Sequence, residues 1–132
     1  SACARECMLY RKSLGCEDVL VLADVQVKHT NMVLPHVTVE QSAVNAAACG
    51  ADAIIVTGSA IGVEPPIKTI ERVKGLVRVP VIAGSGVNAG NIRAQLGIAD
   101  GAIIGSSMKE GGKLANPISE KLAREVMTAL RG

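Results

Sequence analysis

Residues 79–107 read VPVIAGSGVNAGNIRAQLGIADGAIIGSS and contain two short apolar runs that each end in glycine and serine. The first run closes with Gly84-Ser85-Gly86 and the second with Gly105-Ser106-Ser107. Short apolar runs bounded by turn residues are typical of buried strands. The segment between them, from Asn88 as cap to Gly97 as stop, has the pattern of a helix. A strand, a helix and a second strand in this order predict parallel pairing in one sheet.

The same alternation extends toward both ends of the chain. Strands are predicted at 19–25, 52–57, 79–83 and 101–104. Helices are predicted at 2–14, at 39–49 behind a Thr38 cap, from Pro65-Pro66, at 88–97 and from Asn116-Pro117. We therefore predict an α/β fold in a single domain, 1–132, with a leading helix in 1–15 and four βα units in 19–132.

Two α/β architectures fit four βα units. One is a small, open, doubly wound sheet, and the other is strands five to eight of a (βα)8 barrel, which normally needs about 250 residues. The loops that follow the strands favour the barrel. Many barrels hold a phosphate between the loops after strands seven and eight, beside a short extra helix. Here the backbone N–H groups of Gly84, Ser85, Gly86, Gly105, Ser106 and Ser107 are the predicted phosphate ligands.

Composition excludes several classes of function. Hydrophobic residues make up 48% of the 132 residues, but there is no Trp or Phe and only one Tyr, so Val, Ile, Leu and Ala must fill the core. A net charge of +2 and the lack of aromatic residues argue against nucleic-acid partners. No apolar run reaches the roughly 18 residues of a membrane span, and no signal peptide is evident, so we expect a cytoplasmic protein.

The cysteines and two aspartates are interpreted as structural. The four cysteines are expected to be small buried thiols in a reducing compartment, because no further ligands complete a metal site. Asp52 and Asp100 fall at the N-terminal ends of predicted strands, on the side of a barrel that serves stability. We therefore exclude both aspartates from catalysis.

Four segments together resemble the BtpA/SgcQ family: ADVQVKHTNMVLPH, ADAIIVTGSAIGVEPP, VPVIAGSGVNAGNI and ADGAIIGSSMKEGGKLANPI. The resemblance runs from about residue 19 to the end of the chain. It implies a (βα)8 barrel of the ribulose-phosphate-binding group, of which this chain would be the C-terminal half. It also implies phosphate binding, and it says much less about chemistry.

The best candidates for chemistry cluster at the end of the first strand. Asp24, Gln26 and Lys28 alternate with valines, so strand periodicity puts them on one side, and His29 follows. Asp24 could act as a general base or bind a sugar hydroxyl, Lys28 could neutralise phosphate, and His29 could shuttle a proton. The alternative is that Asp24 and Lys28 are only a polar pair at the barrel mouth.

The loop after the second strand supplies the candidate substrate-binding residues. Thr57, Gly58 and Ser59 could offer hydroxyl and N–H donors to a ligand, and Glu64 could reach back toward the site. The alternative is that these residues only shape the loop. His36, which follows Pro35, is expected to be exposed.

Three functions remain open from the sequence. The first is binding of, and action on, a phosphorylated sugar or nucleotide-like molecule. The second, which only the resemblance implies, is a non-enzymatic factor of the photosystem I assembly kind, and the third is an inert half barrel. No metal or cofactor is predicted, with flavin as a minor alternative because FMN barrels also use glycine-ended strands. Because half a barrel leaves open edges, we expect a homo-oligomer or pairing with a missing N-terminal half.

Overall fold

The structure is a computed structural model that describes residues 2–25, 37–58 and 65–132. Its helices are α1 (Ala2–Ser13), α2 (Val39–Ala48), α3 (Ile67–Leu76), α4 (Ile92–Leu96) and α5 (Glu120–Arg131). Its strands are β1 (Leu22–Val25), β2 (Ala53–Val56), β3 (Val81–Ala83) and β4 (Gly101–Ala102). Two short 3-10 turns, Ser106–Met108 and Glu110–Gly112, lie between β4 and α5. The predicted order of one helix followed by alternating strands and helices is confirmed.

The strands form one parallel sheet in the order β1-β2-β3-β4. Each strand pairs with the next one along the chain, and a helix crosses over between them. The carboxyl ends of the strands, and the loops that follow, therefore lie along one edge of the sheet, which we call the carboxyl rim.

The two faces of the sheet differ in how well they are covered. The face toward the helices carries the core, whose buried members include Val25, Ile54, Val56, Val81 and Ala83 from the strands and Ile70, Val73, Ile92 and Val126 from the helices. The opposite face, which we call the open face, carries Leu22, Asp24, Ile55, Ile82 and Ile103, because side chains alternate along a strand. Leu22 on β1 and Ile103 directly after β4 are 45% and 46% exposed.

Side chains cap two of the helices at their N-termini. The Thr38 hydroxyl accepts a hydrogen bond of 3.1 Å from the Gln41 N–H at the start of α2, as predicted. The Gln41 side chain does not complete a capping box, because it donates to Asn45 instead. Ser119 accepts from the Leu122 N–H at the start of α5.

Two predicted helix starts are wrong. Asn88 does not cap α4: its side chain accepts a hydrogen bond from the Gly90 N–H and closes a tight turn, and α4 begins only at Ile92. The last helix does not begin at Asn116, whose amide donates to the Glu110 carbonyl. Both asparagines satisfy loop carbonyls or N–H groups, a use of this side chain that competes with helix capping.

The outer strands are shorter than predicted. The sequence pattern indicates 19–25 and 101–104, whereas β1 begins at Leu22 and β4 ends at Ala102. Within the described residues, each of these strands has a pairing partner on one side only. Apolar residues therefore continue past the end of the paired segment, and Leu20 is exposed.

Two aspartates at the opposite edge of the sheet repeat one arrangement, which we call the aspartate clamp. Asp52 accepts a 2.7 Å hydrogen bond from the Val21 N–H and a 2.8 Å one from Arg11. Asp100 accepts a 2.8 Å hydrogen bond from the Val81 N–H and a 2.7 Å one from Lys74. Each aspartate thus ties the start of one strand to a cation near the end of the preceding helix. Their predicted place at the N-terminal ends of strands is confirmed.

The register around the two clamps is the same. Leu22 pairs with Ala53, and Ile82 pairs with Gly101, in each case one residue after the clamped N–H and the clamping aspartate. The segment α1-β1-α2-β2 is therefore equivalent to α3-β3-α4-β4, position by position along the strands. In this equivalence Leu22 corresponds to Ile82, and Ile55 corresponds to Ile103.

The clamps predict that the fold loses stability in acid. The Val21 N–H and Arg11 hold the pKa of Asp52 below its ordinary value of 3.8. Lys74 and the Val81 N–H do the same for the pKa of Asp100. A carboxylate whose pKa is lowered by folding stabilises the fold above its ordinary pKa, and this contribution disappears as pH falls below 3.8 toward the folded value.

We expect the double variant Asp52→Asn/Asp100→Asn to lose less stability than the wild type between pH 7 and pH 3. The urea midpoint at the two pH values measures this difference. Asp18→Asn is the control, because Asp18 is exposed and lies outside the clamps. If the double variant loses as much stability between pH 7 and pH 3 as the wild type does, the two clamps are not the source of the acid sensitivity.

The cysteines are less buried than predicted. Cys7 is exposed, Cys16 and Cys49 are half-buried, and all three are free thiols. Cys7 lies on α1, where Leu9 and Tyr10 are also exposed. The prediction of buried thiols is therefore wrong for these three cysteines, and the side chain of Cys3 lies outside the described residues.

Candidate functional site

Three hydrogen bonds connect the loops along the carboxyl rim. The Thr57 hydroxyl donates to an Asp24 carboxylate oxygen at 3.5 Å, which joins the ends of β1 and β2. The Gly58 N–H donates to the Ser85 hydroxyl at 3.3 Å, which joins the loops after β2 and β3. The Ser107 hydroxyl donates to the Val87 carbonyl at 2.7 Å, which joins the loops after β3 and β4. Candidate residues from all four strand ends therefore lie in one row.

Gly84 has a packing role at this rim. A Cβ atom on Gly84 would lie 2.5 Å from Ile55 Cγ2 and 2.6 Å from Thr57 Cγ2, closer than Cβ atoms approach other groups. Its N–H donates to the Val56 carbonyl at 2.8 Å. That N–H is therefore part of the sheet, and the phosphate-binding role of Gly84 stays a prediction.

Two asparagines fix the next glycine of this loop. Gly86 has a φ of 66°, in the left-handed region that glycine adopts without strain. Its carbonyl accepts hydrogen bonds from the side-chain amides of Asn88 at 3.1 Å and Asn91 at 3.0 Å. Our reading of the sequence missed this role. The available signal was a pair of asparagines three residues apart, the first of them two residues after Gly86.

The loop after β4 presents backbone N–H groups. Within the turn, the Met108 N–H donates to the Gly105 carbonyl and the Lys109 N–H donates to the Ser106 carbonyl, each at 3.0 Å. Among the residues that the structure describes, no acceptor faces the N–H groups of Gly105, Ser106 or Ser107. The first N–H groups of a helical turn carry partial positive charge and favour anions.

A folded-back segment supports this turn from the other side. Lys109 and Ile118 form an antiparallel bridge, and the Ser119 N–H donates to the Met108 carbonyl at 2.8 Å. The Lys109 ammonium donates to the Leu114 carbonyl and so closes the segment. The turn at 106–108 is thereby held between the loop after β3 and the start of α5.

Asp24 is the one acidic group among the side chains described on the open face. It is exposed and lies beside Ile55, which pairs with it in the register of β1 and β2. The other predicted catalytic residues, Lys28 and His29, lie outside the described residues, as do Gln26, His36, Ser59 and Glu64. Their predicted roles remain predictions.

The described ranges lack both a cluster of metal-binding side chains and a membrane-spanning helix. Among residues 2–25, 37–58 and 65–132, no group of three or more His, Cys, Asp or Glu side chains is arranged to hold a metal ion. The same part of the chain contains no helix with the length and apolar character needed to cross a membrane.

Comparison with known proteins establishes the family. The model of the BtpA family matches residues 1–132, which is the whole chain. This chain is a member of the BtpA family. The resemblance inferred from the four sequence segments is thereby confirmed for BtpA.

BtpA-family relatives of this chain occur in archaea, an animal and a cyanobacterium. An uncharacterized protein of Pyrococcus abyssi is 43% identical over 138 residues, which is 98% of this chain and 50% of the relative. A Caenorhabditis elegans protein described as mitochondrial is 35% identical, over 88% of this chain and 42% of its own. The photosystem I biogenesis protein BtpA of Synechocystis is 34% identical, over 87% and 40%. The BtpA-family chain thus spans about half the length of these relatives.

Solved structures of TIM-barrel enzymes share the fold. The (S)-3-O-geranylgeranylglyceryl phosphate synthase of Thermoplasma acidophilum, solved with its substrate sn-glycerol-1-phosphate, has a TM-score of 0.59 at 16% identity, over 91% of this chain and 53% of its own. The YdjI aldolase of Escherichia coli has a TM-score of 0.51 at 20% identity, over 97% and 48%. At sequence identities this low, the similarity to these two enzymes shows a shared fold and nothing about function. The BtpA-family chain therefore folds as about half a TIM barrel, as predicted.

Proposed function

We propose that this protein binds a phosphorylated small molecule, such as a sugar phosphate or a nucleotide-like ligand, at the carboxyl rim. The observation that carries the proposal is the set of N–H groups at Gly105, Ser106 and Ser107, which have no acceptor in the described part of the chain. The Ser107 hydroxyl holds this turn against the loop after β3. A phosphate can accept several hydrogen bonds at once, so it suits a turn that offers several donors.

The fold supports the same ligand class. Barrels commonly bind phosphate at the loops after strands seven and eight, beside a short extra helix. In this chain, the turn at 106–108 follows the last strand of the sheet. The structurally similar synthase of Thermoplasma acidophilum has glycerol phosphate as its substrate. We propose that β3 and β4 correspond to strands seven and eight, so that the chain is the C-terminal half of a barrel.

Asp24 is the proposed contact for the rest of the ligand. Its carboxylate accepts a hydrogen bond from Thr57, and its place on the open face directs it toward the interior of a closed barrel. A carboxylate there can bind a sugar hydroxyl or accept a proton from one. Lys28 and His29, which follow it in the chain, are the proposed partners in charge neutralisation and proton transfer, and Ser59 is a proposed donor beside Thr57 and Gly58.

The Gly105→Asp variant tests the phosphate proposal. A Cβ atom on Gly105 meets no atom within 4 Å, so the carboxylate can be accommodated and adds negative charge beside the three N–H groups. We expect ribose 5-phosphate to bind at least about tenfold more weakly, because like charges repel at this distance. Isothermal titration calorimetry measures the affinity.

The matched control is Gly75→Asp on α3, where a Cβ atom also has open space. It makes the same change in net charge at a site away from the carboxyl rim, so the affinity should stay at the wild-type value. Equal weakening by both variants would show a general charge effect. An absence of binding to the wild-type chain would contradict the idea that this chain alone completes the phosphate site, and would favour an inert half barrel.

A second candidate function is a non-enzymatic assembly role. The observation that favours it is the 34% identity to the photosystem I biogenesis protein of Synechocystis. Asp24→Ala distinguishes the two proposals in a host strain that depends on the protein. An assembly role predicts that the variant retains function, whereas chemistry at the rim predicts its loss.

A further inference from the structure

Gln95 is the one polar side chain that is buried in the core of the described residues. It lies on α4 and is 1% exposed. Its Nε2 group donates a hydrogen bond of 3.1 Å to the carbonyl of Pro65, which is also fully buried. Its Oε1 atom has no hydrogen-bond partner within the described part of the chain. The amide therefore contributes a single bond, to the main chain of another element.

The orientation of this amide follows from its partner. A carbonyl oxygen accepts hydrogen bonds and cannot donate them, so the Pro65 carbonyl must face the NH2 group of Gln95 rather than Oε1. Oε1 is then a buried acceptor without a donor in the described residues, and burying such an atom lowers stability. A methionine side chain has the same length and would avoid that loss. We therefore attribute the amide at this position to the bond that its nitrogen makes.

This bond holds the start of α3. The N-cap residue of α3 is Pro66, whose side chain has no group that could accept a hydrogen bond from the first turn. The first turn nevertheless forms, because the Thr69 N–H donates to the Pro66 carbonyl at 2.8 Å. Pro65 directly precedes Pro66, so Gln95 of the neighbouring helix fixes the point from which α3 begins.

The same bond fixes the far end of the loop after β2, the loop that carries the proposed substrate-binding residues. At the near end of this loop, the Gly58 N–H donates to the Ser85 hydroxyl at 3.3 Å. At the far end, the Pro65 carbonyl accepts from Gln95. Both attachments lead to the next βα unit, because Ser85 follows β3 and Gln95 lies on α4.

We propose that Gln95 is a positioning residue for the loop after β2. It holds the end of that loop on α4, while Ser85 holds the beginning of the loop beside β3. This role rests on the proposed function, because it affects activity only if the carboxyl rim binds a ligand. Fixing both ends of a binding loop reduces the conformational entropy that ligand binding costs, so the Gln95 bond should raise the affinity for a phosphorylated ligand.

The Gln95→Met variant tests this role. It keeps the length of the side chain and removes the donor to the Pro65 carbonyl. We expect the Thr69 and Ile70 amides, which donate to the Pro66 carbonyl, to exchange with solvent about tenfold faster, because the first turn of α3 opens more often. We expect ribose 5-phosphate to bind about three- to tenfold more weakly, as isothermal titration calorimetry measures.

Ile92→Met is the matched control, because Ile92 lies on the same helix and is 1% exposed but has no hydrogen-bonding side chain. A positioning role predicts that exchange at the start of α3 and ligand affinity change in Gln95→Met and not in Ile92→Met. A merely structural role predicts that both quantities follow the urea midpoint in the two variants alike.

The possible results separate this role from the proposed function. If the wild type binds ribose 5-phosphate and Gln95→Met binds it equally well, the positioning role is wrong and the proposed function stands. If the wild type does not bind, the proposed function is wrong, and faster exchange at the start of α3 in Gln95→Met still supports the hold on the loop end. Unchanged exchange overturns the positioning role in either case.

A measurement on the wild type covers the case in which Gln95→Met does not fold. The side-chain amide protons of Gln95 should exchange with solvent much more slowly than those of Gln41, which is exposed on α2. Slow exchange supports the buried bond to Pro65, and equally fast exchange at the two side chains overturns it.

Discussion

Gly84→Ala is expected to lower the free energy of unfolding by about 1–3 kcal/mol, as overpacking of a tight site does. The added Cβ atom would lie within 2.6 Å of methyl groups of Ile55 and Thr57 and 3.1 Å from the Val56 carbonyl oxygen. Both methyl groups belong to β-branched side chains with few alternative rotamers. The carbonyl belongs to β2, an inner strand of the sheet. Relief therefore requires β2 and β3 to move apart at the carboxyl rim. Urea unfolding measures the change.

Gly75→Ala is the control for this experiment. Gly75 lies within α3 and a Cβ atom there meets no atom within 4 Å. Alanine in place of an exposed helical glycine should stabilise the chain by about 0.5–1 kcal/mol. The two glycine variants should thus shift the urea midpoint in opposite directions. A stable Gly84→Ala variant would mean that the two strands separate more readily than their contacts indicate.

Ile54→Ala is expected to lower the free energy of unfolding by about 2–5 kcal/mol, the range for large-to-small changes in a core. Ile54 is fully buried on β2 and belongs to the core cluster that includes Ile70 and Val73 of α3. Truncation removes contacts with the sheet and with the helix layer and leaves a cavity. Chemical unfolding followed by circular dichroism measures the loss.

Ile103→Ala makes the same chemical change on the open face. Ile103 is 46% exposed, so the isolated chain should lose less than about 1 kcal/mol. The contrast tests whether the stability of this chain comes from the layer between sheet and helices. Equal losses for the two variants would show that the open face is already covered in solution.

Most of the fold could be predicted because the signals are local and strong. Apolar runs of strand length alternate with helical patterns, and the parallel order follows from the connections. The ends of β1 and β4 could not be predicted, because apolar periodicity does not reveal whether a neighbouring strand is present. Asn88 was misassigned because the same side chain can cap a helix or close a turn, and the loop backbone decides which.

The candidate site could be predicted as a set of neighbouring loops but not in its internal roles. Glycine and serine after strands indicate loops whose backbone a ligand can approach closely. In the structure, the hydrogen bonds Thr57–Asp24 and Ser107–Val87 connect these loops. Whether a glycine is needed for its N–H or for its missing Cβ depends on the neighbouring strand. Gly84 meets Ile55 across the sheet, and no sequence motif within its own loop encodes that contact.

The aspartate clamps give the sheet a modular unit for protein engineering. Each unit consists of two strands, the helix between them and the preceding helix, and its clamp lies at the edge opposite the carboxyl rim. Between β2 and β3 the sheet is joined by strand pairing without such a clamp in the described residues. A designer could therefore exchange whole units, or graft new loops at the rim, while Asp52 and Asp100 keep the register of each strand pair.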